Sequence, residues 1–84
     1  MLLAVDIGNT NTKFAVFADQ RLIVRFFIPT PHGYSVKEVT QLLRSNIESD
    51  RYAIGKVIIC SVVPNLNEVI STSVSRAFGI GRYA

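Results

Sequence analysis

Tryptophan is absent from this chain, and cysteine and histidine occur once each. A lone thiol closes no internal disulfide and with one histidine builds no zinc cluster, so neither a disulfide framework nor a structural zinc site holds this domain together. Cys60 lies inside the apolar run Val57-Ile58-Ile59-Cys60, which predicts a buried core thiol in a reducing compartment. A membrane-spanning run is missing too. The opening Met1-Leu2-Leu3-Ala4-Val5 stops at Asp6 with no basic segment before it, so it reads neither as a signal peptide nor as a span, and the expected location is cytoplasmic. Blocks of like charge are equally lacking. The net charge is +3, but the 9 Lys and Arg residues are scattered from Lys13 to Arg82. Without a cluster or interleaved aromatics they predict a solvated surface and no nucleic-acid partner, the alternative being attraction for a small anionic ligand.

What the chain does have is apolar content. With 49% hydrophobic and 18% charged residues over 84 positions, it describes one globular unit rather than a disordered segment. A chain of this length buries only about 60% of the surface its unfolded form exposes, so marginal stability is expected unless something covers an open face.

Leu2 to Val5 and Phe14 to Phe17 read as two strands joined by a tight turn, and Leu22 to Ile28 as a third after the interruption Ala18-Asp19-Gln20. Pro29-Thr30-Pro31-His32-Gly33 ends the meander. Ser35 with Glu38 three residues later is a capping-box spacing, and Val36, Val39, Leu42, Leu43 and Ile47 follow at helical intervals. Lys56 to Val63 is nearly unbroken in β-branched residues, which predicts a strand covered on both faces and parallel to its neighbour. Pro64 closes it. Asn65 and Glu68 repeat the capping spacing before a stripe of Leu66, Val69, Ile70, Val74, Ala77 and Phe78 that stops at Gly79. The order β-β-β-α-β-α, with a crossover helix returning the chain beside the first strand, predicts an α/β fold: an incomplete ribonuclease-H-like, or actin-like ATPase, layer. The tail from Gly79 falls where this topology adds a further strand, so residues 1–84 read as the amino-terminal part of the first domain of a longer protein.

Chemistry concentrates between the first two strands, in Asp6-Ile7-Gly8-Asn9-Thr10-Asn11-Thr12-Lys13. Gly8 can take a positive φ or admit a ligand close to the backbone. The amides that follow can converge on one anion, and Asn9, Thr10 and Asn11 bring side chains able to donate to phosphate oxygens. Asp6 would repel phosphate directly but can hold a hydrated Mg²⁺ that bridges nucleotide oxygens. Lys13 can neutralise charge on a transferring phosphoryl group. An ordinary hairpin is the plainer alternative, since Gly-Asn is a common turn pair.

At this point the sequence resembles the type III pantothenate kinases of the acetate and sugar kinase, Hsp70 and actin superfamily. Leu3 to Thr12 looks like that family's first phosphate motif, and Cys60-Ser61-Val62-Val63-Pro64 like its Ser-Val-Val-Pro signature. The resemblance runs through the whole chain. It implies ATP-dependent phosphorylation of pantothenate, the first step of coenzyme A biosynthesis, by a homodimer using Mg²⁺ and a monovalent cation such as K⁺ or NH₄⁺, with Asp6 to Lys13 on the ATP phosphates. The family's Gly-x-Asp-Arg segment, which provides the general-base aspartate and the pantothenate contacts, has no counterpart in these 84 residues. Its second phosphate motif and adenosine motif are missing as well. No catalytic residue is therefore carried over, and this chain alone is expected to be inactive.

Ser61 reads either as a wall of the substrate pocket or as a cap on the strand end. His32 stands in a loop without a second metal ligand nearby. Phe26 and Phe27 point to opposite faces of one strand, so one of them is expected to be covered only by a partner or a further segment. Two rival functions remain. A ribonuclease-H-like nuclease would need more carboxylates at strand ends than Asp6 alone. A truncated or accessory nucleotide-binding remnant would keep the turn and lose the catalysis.

Overall fold

A computed structural model describes residues 1–80; the continuing strand expected after residue 80 lies outside the described residues. Three antiparallel strands come first: β1 (Leu2–Ile7), β2 (Asn11–Ala18) and β3 (Arg21–Pro29). Helix α1 (Val36–Asn46) then crosses to β4 (Lys56–Ser61), and α2 (Asn67–Ala77) follows. The sheet order is β3-β2-β1-β4, with β4 parallel to β1. A meander followed by a helical crossover to a parallel strand is the incomplete ribonuclease-H-like layer that the element order predicts.

Alternation of side chains explains why one face of this sheet is dry. Leu3, Val5 and Ile7 of β1, Phe14 and Val16 of β2, and Ile28 of β3 are buried, together with Val39 and Leu43 of α1 and Ile70 and Val74 of α2. Both helices thus contribute to one core on a single face of the sheet. Phe14 and Phe26, paired across β2 and β3, stack with ring centroids 4.8 Å apart.

Ser35 caps α1 as its spacing predicts. Its hydroxyl accepts from the Glu38 amide at 3.2 Å, while the Glu38 carboxylate accepts from the Ser35 amide at 2.9 Å. These bonds hold the Glu38 carboxyl below its usual value of 4.5, the backbone bond to Ser35 contributing most.

Four expectations need correction. The turn between β1 and β2 is shorter than the composition suggests, because Ile7 and Thr12 both bury on the helix side and keep the ladder running to that pair. Among the described residues strand β4 lies at the sheet edge and is covered on one face only: Ile58 is 45% exposed, and the strand ends at Ser61 instead of Val63. Cys60 accordingly is exposed, since it alternates with Ile59 and falls on the open face. The second capping box does not form. Pro64–Leu66 coil into a 3-10 turn, so Asn65 already lies in a helical turn and the position before α2 is Leu66 at φ −99°, ψ −6°, without a side-chain cap.

The other face of the sheet is open and largely apolar. Ala4, Ala15, Phe17, Phe27 and Ile58 line it with Asp6, Lys13, Arg25 and Cys60. Phe27 is 62% exposed there, the uncovered member of the Phe26–Phe27 pair.

Candidate functional site

The three residues Gly8-Asn9-Thr10 form the whole connection between β1 and β2. Val62 donates its amide to the Ile7 carbonyl at 3.0 Å, which ties the end of β1 to the chain leaving β4. Ser61 is opposite Ile7 in the parallel ladder. Its hydroxyl accepts from the Val63 amide at 3.0 Å, so it caps the strand end while standing beside the turn.

Gly8 is needed for space. A Cβ there would stand 2.9 Å from the Asn11 carbonyl oxygen, which already accepts the Gly8 amide at 3.0 Å. Its φ lies outside the left-handed region, so of the two uses expected for this glycine, close backbone approach is the one realised, with the chain's own hairpin as the neighbour.

The remaining carbonyls of the turn all point back into the protein. Gly8 O accepts from the Thr30 hydroxyl at 2.6 Å, Asn9 O accepts from His32 Nε2 at 2.9 Å, and Thr10 O accepts from the Thr30 amide at 2.8 Å. Among the described residues, the amides of Asn9 and Thr10 have no protein acceptor. Asn9 and Thr10 are exposed and Asn11 is half-buried, whereas Thr12 is fully buried. The Thr12 hydroxyl meets that of Thr30 at 3.1 Å; because the Thr30 proton goes to Gly8 O, Thr12 is the donor. Ile7 and Thr12 therefore turn their side chains inward and can face a ligand only through backbone.

Asp6 and Lys13 are directly opposite each other in the β1–β2 ladder, both exposed on the open face, with Cys60 on the other side of Asp6. No ion pair joins them. Among the described residues no three His, Cys, Asp or Glu side chains converge on a common point. The Asp6 carboxylate fits a cation that keeps most of its water and takes one protein carboxylate with substrate phosphates, as Mg²⁺ does; it does not fit an all-protein cage.

Sequence reasoning missed Thr30 and His32. They are 20 or more positions from the turn, and only the β2–β3 register, with Asn11 opposite Pro29, brings them under it. The two prolines beside Thr30 mark a strand end; nothing in the sequence says what that end touches.

A carboxylate near the end of β1, a glycine-led turn with outward amides, and a β3-β2-β1-β4 sheet with its crossover helix put the chain among the actin-like ATPase folds. A solved structure described as a structural study of the Aquifex aeolicus PPX-GPPA enzyme has the same fold. It superposes with a TM-score of 0.50 at 13% sequence identity, covering 94% of this chain and 33% of that one. The family model for type III pantothenate kinase matches residues 2–83, and the chain belongs to that family. Among its relatives, the type III pantothenate kinase of Sphingopyxis alaskensis is 39% identical over 95% of this chain, and that of Desulfosudis oleivorans is 38% identical over 84%. The enzyme of Thermus thermophilus is 33% identical over 95%. The matches span 32%, 29% and 32% of those relatives' own lengths.

Proposed function

We propose that this chain is the nucleotide half of an ATP-dependent pantothenate kinase, its Gly8-Asn9-Thr10 turn receiving the phosphates of ATP. The observation that carries the reading is the pair of unpartnered, outward amides of Asn9 and Thr10 on a turn whose carbonyls are all tied down. Backbone donors arranged this way form an anion-binding concavity. The exposed side chains of Asn9 and Thr10 add further donors, and Lys13 supplies positive charge beside Asp6. Asp6 would hold Mg²⁺ through its hydration shell, and that ion would screen the charge of the phosphate oxygens.

Phosphoryl transfer asks the protein mainly for positioning and charge neutralisation. This chain contributes phosphate positioning. The Gly-x-Asp-Arg segment expected to supply the general base for the pantothenate hydroxyl has no counterpart in these 84 residues, so phosphate positioning, and not turnover, is the role proposed for this chain. The monovalent cation, the homodimer and the cytoplasmic location are expectations that belong to the same proposal. So is the assignment of residues 1–84 to the amino-terminal part of the first domain.

A second reading, a nucleotide-binding remnant or accessory protein, draws on the open apolar face formed by Phe17, Phe27 and Ile58. Both readings share the turn and differ only in catalysis.

Calorimetric titration of the purified chain with Mg·ATP tests the shared part. Binding is expected, with Asp6→Asn weakening it only when Mg²⁺ is present and Gly8→Val abolishing it. Unaltered binding in both variants would remove the turn from the account. Pantothenate phosphorylation by the chain alone would overturn its description as half a site.

A further inference from the structure

We infer that Thr30 and His32 are positioning residues of the phosphate turn: they hold its carbonyls on the protein side and thereby fix its amides on the ligand side. The inference rests on the phosphate reading and extends it to two residues outside the motif.

Peptide planarity carries the argument. Across a trans peptide the carbonyl of one residue and the amide of the next point in opposite directions, and no cis bond occurs among the described residues. Fixing Gly8 O therefore aims the Asn9 N–H, fixing Asn9 O aims the Thr10 N–H, and fixing Thr10 O aims the Asn11 N–H. The three acceptors are served by Thr30 Oγ1 at 2.6 Å, His32 Nε2 at 2.9 Å and the Thr30 amide at 2.8 Å. One short segment controls three successive peptide planes.

That segment is itself braced. Thr30 is buried and also accepts the Thr12 hydroxyl, Pro31 between them is fully buried with its φ fixed by the ring, and the His32 amide donates to Thr30 O at 2.9 Å. A carbonyl can only accept, so His32 Nε2 carries the proton in this contact. His32 is exposed, so removing its ring should leave the core intact.

The test uses the whole 84-residue chain with His32→Ala, His32→Gln, Thr30→Val and Thr30→Ser. Backbone ¹⁵N relaxation at Asn9 and Thr10 reads the turn directly, and calorimetry with Mg·ATP reads its function. Loss of one such hydrogen bond should weaken Mg·ATP binding about 3- to 10-fold in His32→Ala. Order parameters at Asn9 and Thr10 should fall from about 0.85 toward about 0.6, with the melting temperature unchanged. Gln and Ser, which restore a donor, should return both readouts to near wild type; Thr30→Val should show the larger loss. Wild-type order and affinity in His32→Ala and Thr30→Val would overturn the inference, as would a lowered melting temperature in Thr30→Val with affinity unmoved. If the wild-type chain binds no Mg·ATP, the phosphate reading fails. Relaxation then decides the latch alone: a loosened turn in His32→Ala sustains it, and an unchanged one overturns it.

Discussion

Replacing Gly8 by alanine separates a steric requirement from a conformational one. The added Cβ meets the Asn11 carbonyl oxygen at 2.9 Å. That neighbour is backbone and already accepts the Gly8 amide, so neither partner can swing aside as a flexible side-chain tip would. Relief requires opening the end of the β1–β2 hairpin, and overpacking of this kind costs about 1–3 kcal/mol. Two other glycines serve as controls. Gly79, at φ +65° with nothing within 4 Å of an added Cβ, should lose about 1–2 kcal/mol on conversion to alanine through backbone strain alone. Gly55 has neither constraint, and alanine there should be neutral or stabilising by about 0.4–1 kcal/mol. Urea denaturation followed by circular dichroism gives the three stabilities, and Mg·ATP titration gives the three affinities. Gly8→Ala and Gly79→Ala should be destabilised to a similar extent, but only Gly8→Ala should lose nucleotide affinity, because only it displaces the amides of Asn9 and Thr10. Equal affinity in all three variants would refute the reasoning about the turn, and a Gly8→Ala chain as stable as Gly55→Ala would refute the steric argument.

Phe14→Ala removes a fully buried ring and its stack with Phe26, and should cost about 3–5 kcal/mol. Since small domains are held by only about 5–15 kcal/mol in total, that is a large share of the stability, and calorimetry should find a markedly lowered melting temperature. Glu38 gives a pH dependence of known sign: its folded-state pKa is lowered, so its capping contribution is complete above 4.5 and is lost as pH falls through the lower folded value. The urea midpoint should drop across that acid window, and Glu38→Gln should flatten the drop there. On the open face, Phe27→Ser should change stability by no more than about 0.5 kcal/mol, because the ring is 62% exposed. Light scattering should show less self-association, since the variant breaks up the apolar patch.

Much of this fold was legible because its signals are local. Ser35 and Glu38 specify a helix start by chemistry confined to four residues, and the structure contains both of their hydrogen bonds. Asn65 and Glu68 have the same spacing without the same result, because Pro64 coils the chain into a 3-10 turn one step too early. Composition gave the wrong environment for Lys56 to Val63 for a different reason. A β-branched run reports affinity for a sheet, but not how many faces of that sheet are covered, and Cys60 is exposed because its face is open. At the candidate site, Asp6, Gly8, Asn9 and Thr10 were readable as contiguous residues with complementary chemistry. Thr30 and His32 were not, because their contribution exists only after β3 has paired with β2 and delivered residue 30 to residue 10.

The central claim is that the turn after β1 binds the phosphates of Mg·ATP through its outward amides. Titration of the ¹⁵N-labelled chain with Mg·ATP, followed by amide chemical shifts, tests it most directly. The Asn9, Thr10 and Asn11 resonances are expected to move farthest and to share one dissociation constant, with the response abolished by Gly8→Val. Saturable shifts confined to other parts of the sheet, with these three resonances stationary, would contradict the claim.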